Sequence, residues 1–299
     1  MISIIIASAD LSLLKQVTKN IEETIAVPHE IIAFENSKGQ KGICELYNLG
    51  IQKAKYETLC LMHEDIEILT NNWGQKVINI FHENPDVGLV GVAGNSYKTL
   101  TPTGWHGAGM DTLRQNFIQS FKHTIKKRCH YYLNPHNEKL SIVASVDGLW
   151  LCTTKKIASE FMFDEDTFKG FHAYDLDFSL AVGQKYKVAV TYDVLLHHFS
   201  EGRFDETWMK DNLKLHKKWN AVLPVNAADL LPEKAFIIEK KAFKNFIDQM
   251  IYFKYPLKVP LAILTNMRFR SLSILLFLKL NYHTLLRYYK ADKPKLAEA

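Results

Sequence analysis

Three short clusters in this chain carry residue types that could do chemistry. His63-Glu64-Asp65 directly follows Thr58–Met62, an apolar run that reads as a strand. A carboxylate at a strand's C-terminal end can hold a hard divalent cation, which in turn binds phosphate oxygens. Taken alone, the triplet also reads as an acidic loop capping the next helix. Tyr174-Asp175-Leu176-Asp177 follows Phe163-Asp164-Glu165 and Gly170-Phe171-His172. Its two carboxylates stand two apart at an expected helix start, where the helix dipole stabilises them and fixes their direction. One is a candidate general base and the other a structural cap, although capping alone accounts for the pair as well. His197-His198 closes a strand and precedes Ser200-Glu201-Gly202-Arg203. Adjacent strand residues point to opposite faces, so only one of the two easily faces a given site. A neutral imidazole is a good ligand for Mn²⁺ or a similar metal.

The elements that must position these groups alternate along the chain. Ile2–Ser8 is a nearly continuous β-branched run, as expected of a strand buried on both faces. Asp10 or Ser12 can cap the amphipathic stretch that runs to about Val27. After Pro28, residues 30–35 read as a second strand, residues 43–55 as a helix, and Thr58–Met62 as a third strand. A helix is expected near 72–83 and a fourth strand over 87–93. Strands separated by helices of this length imply right-handed βαβ crossovers and a parallel sheet. Ligands then bind beyond the carboxyl ends of the strands, where His63-Glu64-Asp65 and His197-His198 stand. Residues 95–141, rich in Gly, His and aromatics, read as loops and short antiparallel strands. Strand character resumes over 142–152 and 187–191, with helices expected at 175–184 and 205–219 and a basic helical segment beyond Pro232.

Composition bounds the answer. The chain has 299 residues, 47% hydrophobic and 23% charged, which excludes a disordered chain, a collagen-like fibre and a coiled-coil rod. No uncharged stretch approaches the roughly 18–20 apolar residues of a spanning helix. The start, Met1-Ile2-Ser3-Ile4, has no basic region or cleavage site of a signal peptide. Cys44, Cys60, Cys129 and Cys152 lie far apart without zinc-type spacing, as expected of reduced thiols in a cytosolic protein. Residues 233–299 carry thirteen Lys and Arg against five Asp and Glu, leaving 24 against 27 for residues 1–232. A mildly acidic body with a basic tail is not the footprint of a nucleic-acid-binding domain. It suits an enzyme whose C-terminus meets something anionic, such as a bilayer surface.

The ordered set resembles the family-two, GT-A-fold glycosyltransferases, and most of all the bacterial branch whose metal motif is His-x-Asp. The matching segments are Ile2–Ser8, 30–36, 46–51, 61–66, Val146-Asp147-Gly148, 163–180 and 197–202, over about residues 1–220. The resemblance implies an α/β fold with a central, mostly parallel Rossmann-like sheet flanked by helices, and a C-terminal helical extension. Residues 1–228 would form the catalytic domain, with a nucleotide-sugar half over about 1–95 and an acceptor half over about 96–228; residues 229–299 would be the extension. Ala7, Ser8 and Glu35 would line the nucleotide pocket, with Glu35 near the base or ribose. Asp65 would coordinate a Mn²⁺ or Mg²⁺ ion bridging the diphosphate, and His63 or Glu64 would contact the metal or ribose. Asp147 and Gly148 would floor the sugar and acceptor site. Asp175 would be the base on the acceptor hydroxyl, with Asp177 supporting it. His197 would complete the metal shell, with His198 a close second. Arg203 would clamp the diphosphate from a loop able to close over the donor, or stand as a solvated surface arginine. Tyr174 departs from the glutamate that many relatives carry there.

The expected activity is inverting transfer of a sugar from a nucleotide-diphosphate sugar to a glycan or lipid-linked acceptor in bacterial surface polysaccharide or related glycan assembly. Two other readings use the same residues. One is a nucleotidyl-transfer enzyme, which would release pyrophosphate; the other is a non-catalytic GT-A-like domain that binds sugar or a partner protein. Leu272, Leu275, Leu276 and Leu280 with Arg287 and Lys290 suggest basic amphipathic helices in the extension. These would rest on the inner face of an anionic membrane, or pack on the catalytic domain or a second subunit.

Overall fold

The computed structural model describes residues 1–107, 109–121, 128–202, 204–266 and 268–291. In chain order the first half is β1 (Ile2–Ser8), α1 (Leu11–Thr24), β2 (His29–Glu35), α2 (Ile43–Lys53), β3 (Thr58–Met62), β4 (Ile66–Ile68), α3 (Trp73–Glu83), β5 (Val87–Gly91), β6 (Ala93–Asn95) and β7 (Tyr97–Lys98). It continues with β8 (Leu113–Gln119), β9 (Cys129–Leu133), β10 (Leu140–Val143), β11 (Ser145–Val146), β12 (Trp150–Thr154), α4 (Lys155–Phe161), α5 (Tyr174–Val182), β13 (Lys187–Thr191) and β14 (Leu196–His198). The remainder is α6 (Glu206–Lys218), β15 (Val225–Asn226), α7 (Pro232–Tyr252), α8 (Lys258–Asn266), α9 (Phe269–Leu272) and α10 (Ile274–Ala291).

Seven strands form the central sheet in the order β10-β13-β5-β12-β3-β1-β2. β1 pairs in parallel with both β2 and β3, and β13 in parallel with β5. β12 runs antiparallel between β3 and β5, and β10 antiparallel to β13, so the sheet is mostly parallel. The chain leaves β1 to one side for β2 and returns to the other side for β3. That reversal is the topological switch point at which open α/β sheets bind ligands. Ile2, Ile4 and Ile6 pack into the core on one face of the sheet and Ile5 into that on the other, which accounts for the unbroken apolar run of β1.

Two expected strands prove to be composite. The run over 87–93 ends as β5 at Gly91, and after Val92 the chain turns into β6 of a second sheet. The run over 142–152 is three pieces, β10, β11 and β12, interrupted at Ala144 and at Asp147-Gly148-Leu149. Apolar composition alone does not reveal where a chain changes sheets, because both sheets bury it. The second sheet, ordered β11-β6-β8-β14-β4 with β9 on β8, gathers the polar middle segment and brings β14 beside β4.

The extension is part of the same packing. On α7, Ala235, Glu239, Ala242, Phe243, Phe246, Ile247 and Met250 are buried, and the large apolar ones join the core of the body. α10 divides the expected apolar stripe. Leu276, Leu280, Thr284 and Tyr288 face inward at helical spacing. Leu275, Leu278, Tyr282, Leu285 and Tyr289 face outward and are at least half exposed. Among the described residues no helix is long and apolar enough to cross a membrane.

Candidate active site

A cavity of about 1030 Å³ opens at the switch point, walled by Ala7, Ala9 and Asp10 after β1 and by His63, Glu64 and Asp65 after β3. Asp147, Gly148, Tyr174, Asp175, His198 and Ser200 line it as well. The fold thus brings all three chemical clusters to one space.

Candidate ligand atoms of His63, Asp65 and His198 lie within 4.8 Å of one another. The register of β14 explains the choice of histidine. His198 pairs with Ile66 and His197 with Glu67, and the next amide, Phe199 N–H, donates to the Asp65 carbonyl at 2.9 Å. Alternation then directs His198 toward Asp65, with Nε2 3.5 Å from Oδ1. His197 points the other way, against Ser120 at 2.8 Å and Glu67 at 3.7 Å. The expectation that His197 leads is therefore corrected in favour of its neighbour.

Each imidazole turns its other ring nitrogen to a polar partner. His198 Nδ1 lies 3.1 Å from the Gln119 Oε1, an acceptor only, so Nδ1 carries a proton and Nε2 is turned to Asp65. His63 Nε2 lies 2.7 Å from the Tyr174 hydroxyl, and its Nδ1 is 3.9 Å from Asp65. A hydroxyl can accept, so Nε2–H toward Tyr174 frees Nδ1 for the same point. Metal-bound histidines characteristically donate their second N–H to such an oxygen. Burial lowers the His63 pKa to about 4, so it is neutral in the working pH range. Burial pushes Asp65 up, but hydrogen bonds and charge from His198, His63 and Ser200 outweigh it and hold the carboxyl far below its ordinary value. Two imidazoles flanking an ionised carboxylate fit a divalent ion such as Mn²⁺.

Asp175 sits in the first turn of α5 and accepts the Gly148 N–H at 3.0 Å. Burial, reinforced by the charge of Asp147, raises its pKa to about 7. Asp147 is itself raised, chiefly by burial, and accepts the Leu149 N–H at 3.0 Å. Gly148 admits no side chain, since a Cβ there would stand 2.1 Å from the Tyr174 hydroxyl.

The other expected site residues are placed differently. Both Glu64 oxygens are engaged by backbone: Ala9 N–H at 2.9 and 3.0 Å and Asp10 N–H at 3.0 Å. Glu64 therefore ties the β1 exit to the β3 exit. Ala7 lines the cavity, whereas Ser8 is buried behind it, with its hydroxyl on the Asp10 carbonyl. Glu35 ends the edge strand, exposed and outside the cavity lining, since β2 lies one strand beyond the switch point. Asp177 is not among the cavity's lining residues. Two residues along a helix turn it about 200° from Asp175, onto Lys218 at 2.8 Å and the Trp219 indole at 2.7 Å. Arg203 falls outside the described residues. Gln119 and Tyr174 escaped sequence reasoning as orienting groups. Gln119 lies in a segment without a local signal, and only the parallel pairing of β8 with β14 sets it opposite His198.

Among the described lining residues are seven carboxylates (Asp10, Glu64, Asp65, Asp147, Asp175, Glu201, Asp205) and no Lys or Arg. A diphosphate bound there requires a cation to offset repulsion at this range.

No curated protein matches the chain. Among solved structures it is similar to Staphylococcus aureus TarS 1–349 in complex with UDP-GlcNAc, with a TM-score of 0.54, 9% identity, and coverage of 97% of this chain and 90% of that one. The longer S. aureus TarS structure gives a TM-score of 0.51 and 8% identity over 97% of this chain and 54% of that one. A structure of GalNAc-T7 with UDP, GalNAc and Mn²⁺ gives a TM-score of 0.49 and 10% identity, over 84% of this chain and 56% of that one. At such identities the TarS likenesses speak for the fold alone, which is the GT-A type. Residues 3–220 match the family profile described as glycosyltransferase-like, and the chain belongs to that family.

Proposed function

We propose that the protein is an inverting, metal-dependent glycosyltransferase that moves a sugar from a nucleoside-diphosphate sugar to an acceptor hydroxyl in bacterial surface-glycan assembly. One observation carries this reading: His63, Asp65 and His198 converge, their other ring nitrogens held by Tyr174 and Gln119, in the cavity that also holds Asp175. His63, Asp65 and His198 would hold a divalent ion, which supplies Lewis-acid stabilisation of the diphosphate leaving group. Glu64 keeps the β1 exit loop in place against the donor. Asp175 takes the proton of the acceptor hydroxyl as that oxygen bonds to the anomeric carbon; the bond from this carbon to the diphosphate breaks, and its electron pair leaves with the nucleoside diphosphate. A proton acceptor on the face opposite the leaving group inverts the anomeric centre. Residues 1–228 would be the catalytic domain and 229–299 the extension, and Arg203 would remain a candidate clamp on the donor.

The test is UDP-GlcNAc turnover, chosen because the TarS 1–349 structure holds that donor. Release of UDP that depends on Mn²⁺ or Mg²⁺ and is lost in Asp65→Asn is the expected result. Equal donor affinity in Mn²⁺ and in EDTA would remove the metal role. Pyrophosphate as product would favour nucleotidyl transfer instead, and donor binding without any turnover would favour a binding domain.

A specific observation also favours peripheral attachment to the inner face of a membrane. Residues 249–291 contain seven Lys and Arg and no Asp or Glu. Leu275, Leu278, Tyr282, Leu285 and Tyr289 form an exposed stripe along α10. Pairing two such helices would set like charges together, whereas an anionic bilayer matches both the charge and the apolar face. Co-flotation with phosphatidylglycerol vesicles, lost in Leu278→Glu/Leu285→Glu, is expected. A stable dimer in light scattering without flotation would assign the stripe to a second subunit.

A further inference from the structure

Part of the cavity wall is built by α6 and α7, through Trp208, Asn212, Ala242, Asn245, Phe246 and Gln249, none of them charged. Asn212 is 1% exposed. Its Nδ2 donates to the Trp208 carbonyl at 2.9 Å, which fixes the orientation of the amide, because the reverse would set oxygen against oxygen. Oδ1 is then a buried acceptor without a partner among the described residues. Native proteins leave few such atoms, and each calls for a donor. Asn245 and Gln249 stand one helical turn apart on α7, so their amides share a side of the helix with Phe246 between them in sequence. Amides that donate and accept, next to aromatic surface, match the hydroxyls and the apolar face of a sugar ring. A phosphate group would meet the cavity's carboxylates without a Lys or Arg among the described lining residues, and an ammonium group would find beside this wall only Asp205, whose carboxylate already accepts the Trp208 N–H at 2.9 Å.

We propose that this wall is the acceptor subsite and that it takes an uncharged sugar residue, whose hydroxyl it presents to Asp175. The inference rests on the transferase reading above and adds the class of acceptor. It also gives the extension a part in the site, since Asn245, Phe246 and Gln249 belong to α7.

The experiment is a glycan array of neutral, phosphorylated and amino-sugar structures, probed with the full-length protein in Mn²⁺ and UDP. Asn245→Ala/Gln249→Ala serves as the variant, since both positions retain solvent exposure, and a thermal melt checks that it folds. Retention of neutral glycans, weakened about tenfold or more by the double substitution, is expected. Retention of phosphorylated or amino-sugar glycans alone, no retention of any glycan, or neutral binding that survives the substitution would each overturn the assignment. Titration of UDP with Mn²⁺ on the same proteins reads the parent proposal separately, because failure there removes the donor site whatever the glycans do.

Discussion

Replacing Asp175 by Asn tests whether the proposed base is held at an energetic cost. Burial, with the charge of Asp147, raises this carboxyl from 3.8 to about 7 in the folded protein. The unfolded chain releases the proton near 4, whereas the folded protein keeps it until about 7. Between those values the folded state binds more protons, so stability falls as pH rises, and the full penalty is present above 7. About three pH units at 1.36 kcal/mol each set an upper bound of about 4 kcal/mol. The side chain keeps some exposure to the cavity, and screening there reduces the expected effect to roughly 1–3 kcal/mol. Asn retains an oxygen for the Gly148 N–H and carries no charge. Urea denaturation of EDTA-treated protein should therefore show the variant more stable at pH 8.5, with roughly two-thirds of the gain arising between pH 5 and 7. Transfer should fall by roughly 10²–10⁴-fold, and wild-type kcat/KM should rise with pH through about 7. An equal change in stability at pH 5 and 8.5 would refute the raised carboxyl. Near-normal transfer by the variant would refute the base.

Four further expectations follow from the same geometry. His198→Ala should weaken Mn²⁺ binding in calorimetry by about tenfold to a hundredfold, whereas His197→Ala should leave it nearly intact, because His197 faces Ser120 and Glu67. Tyr174→Phe removes the hydrogen-bond partner of His63 Nε2 and should lower Mn²⁺ affinity about tenfold while the fold persists, read by the same titration. In Gly148→Ala the new methyl meets the Tyr174 hydroxyl, so a loss of about 1–3 kcal/mol in denaturant unfolding and weaker metal binding are expected together. Asp177→Ala leaves the Trp219 indole without its acceptor and Lys218 with Asp164 alone, and should cost about 1–2 kcal/mol in unfolding experiments with Mn²⁺ affinity retained; a catalytic Asp177 would instead lose turnover at unchanged stability.

What the sequence determined by itself is local. The β-branched runs and intervening amphipathic stretches set β1, α1, β2, α2 and β3 in order, because side-chain period and capping act over a few residues; Asp10, for instance, caps α1 through Ser12 and Leu13 N–H. The same reading placed His63-Glu64-Asp65 at a strand exit and Asp175 at a helix start, which is where the fold puts them. Tertiary structure alone decided the rest. Whether His197 or His198 turns to Asp65 depends on the register of β14 against β4, more than a hundred residues away in sequence. The orienting partners Gln119 and Tyr174 reach the histidines across 79 and 111 residues. Glu35 is left outside because β2 takes the edge of the sheet, and Asp177 because α5 turns it toward α6. Periodicity tells which face of an element is buried, but not which distant element buries it, and a site assembled from strand ends is made of those distant choices.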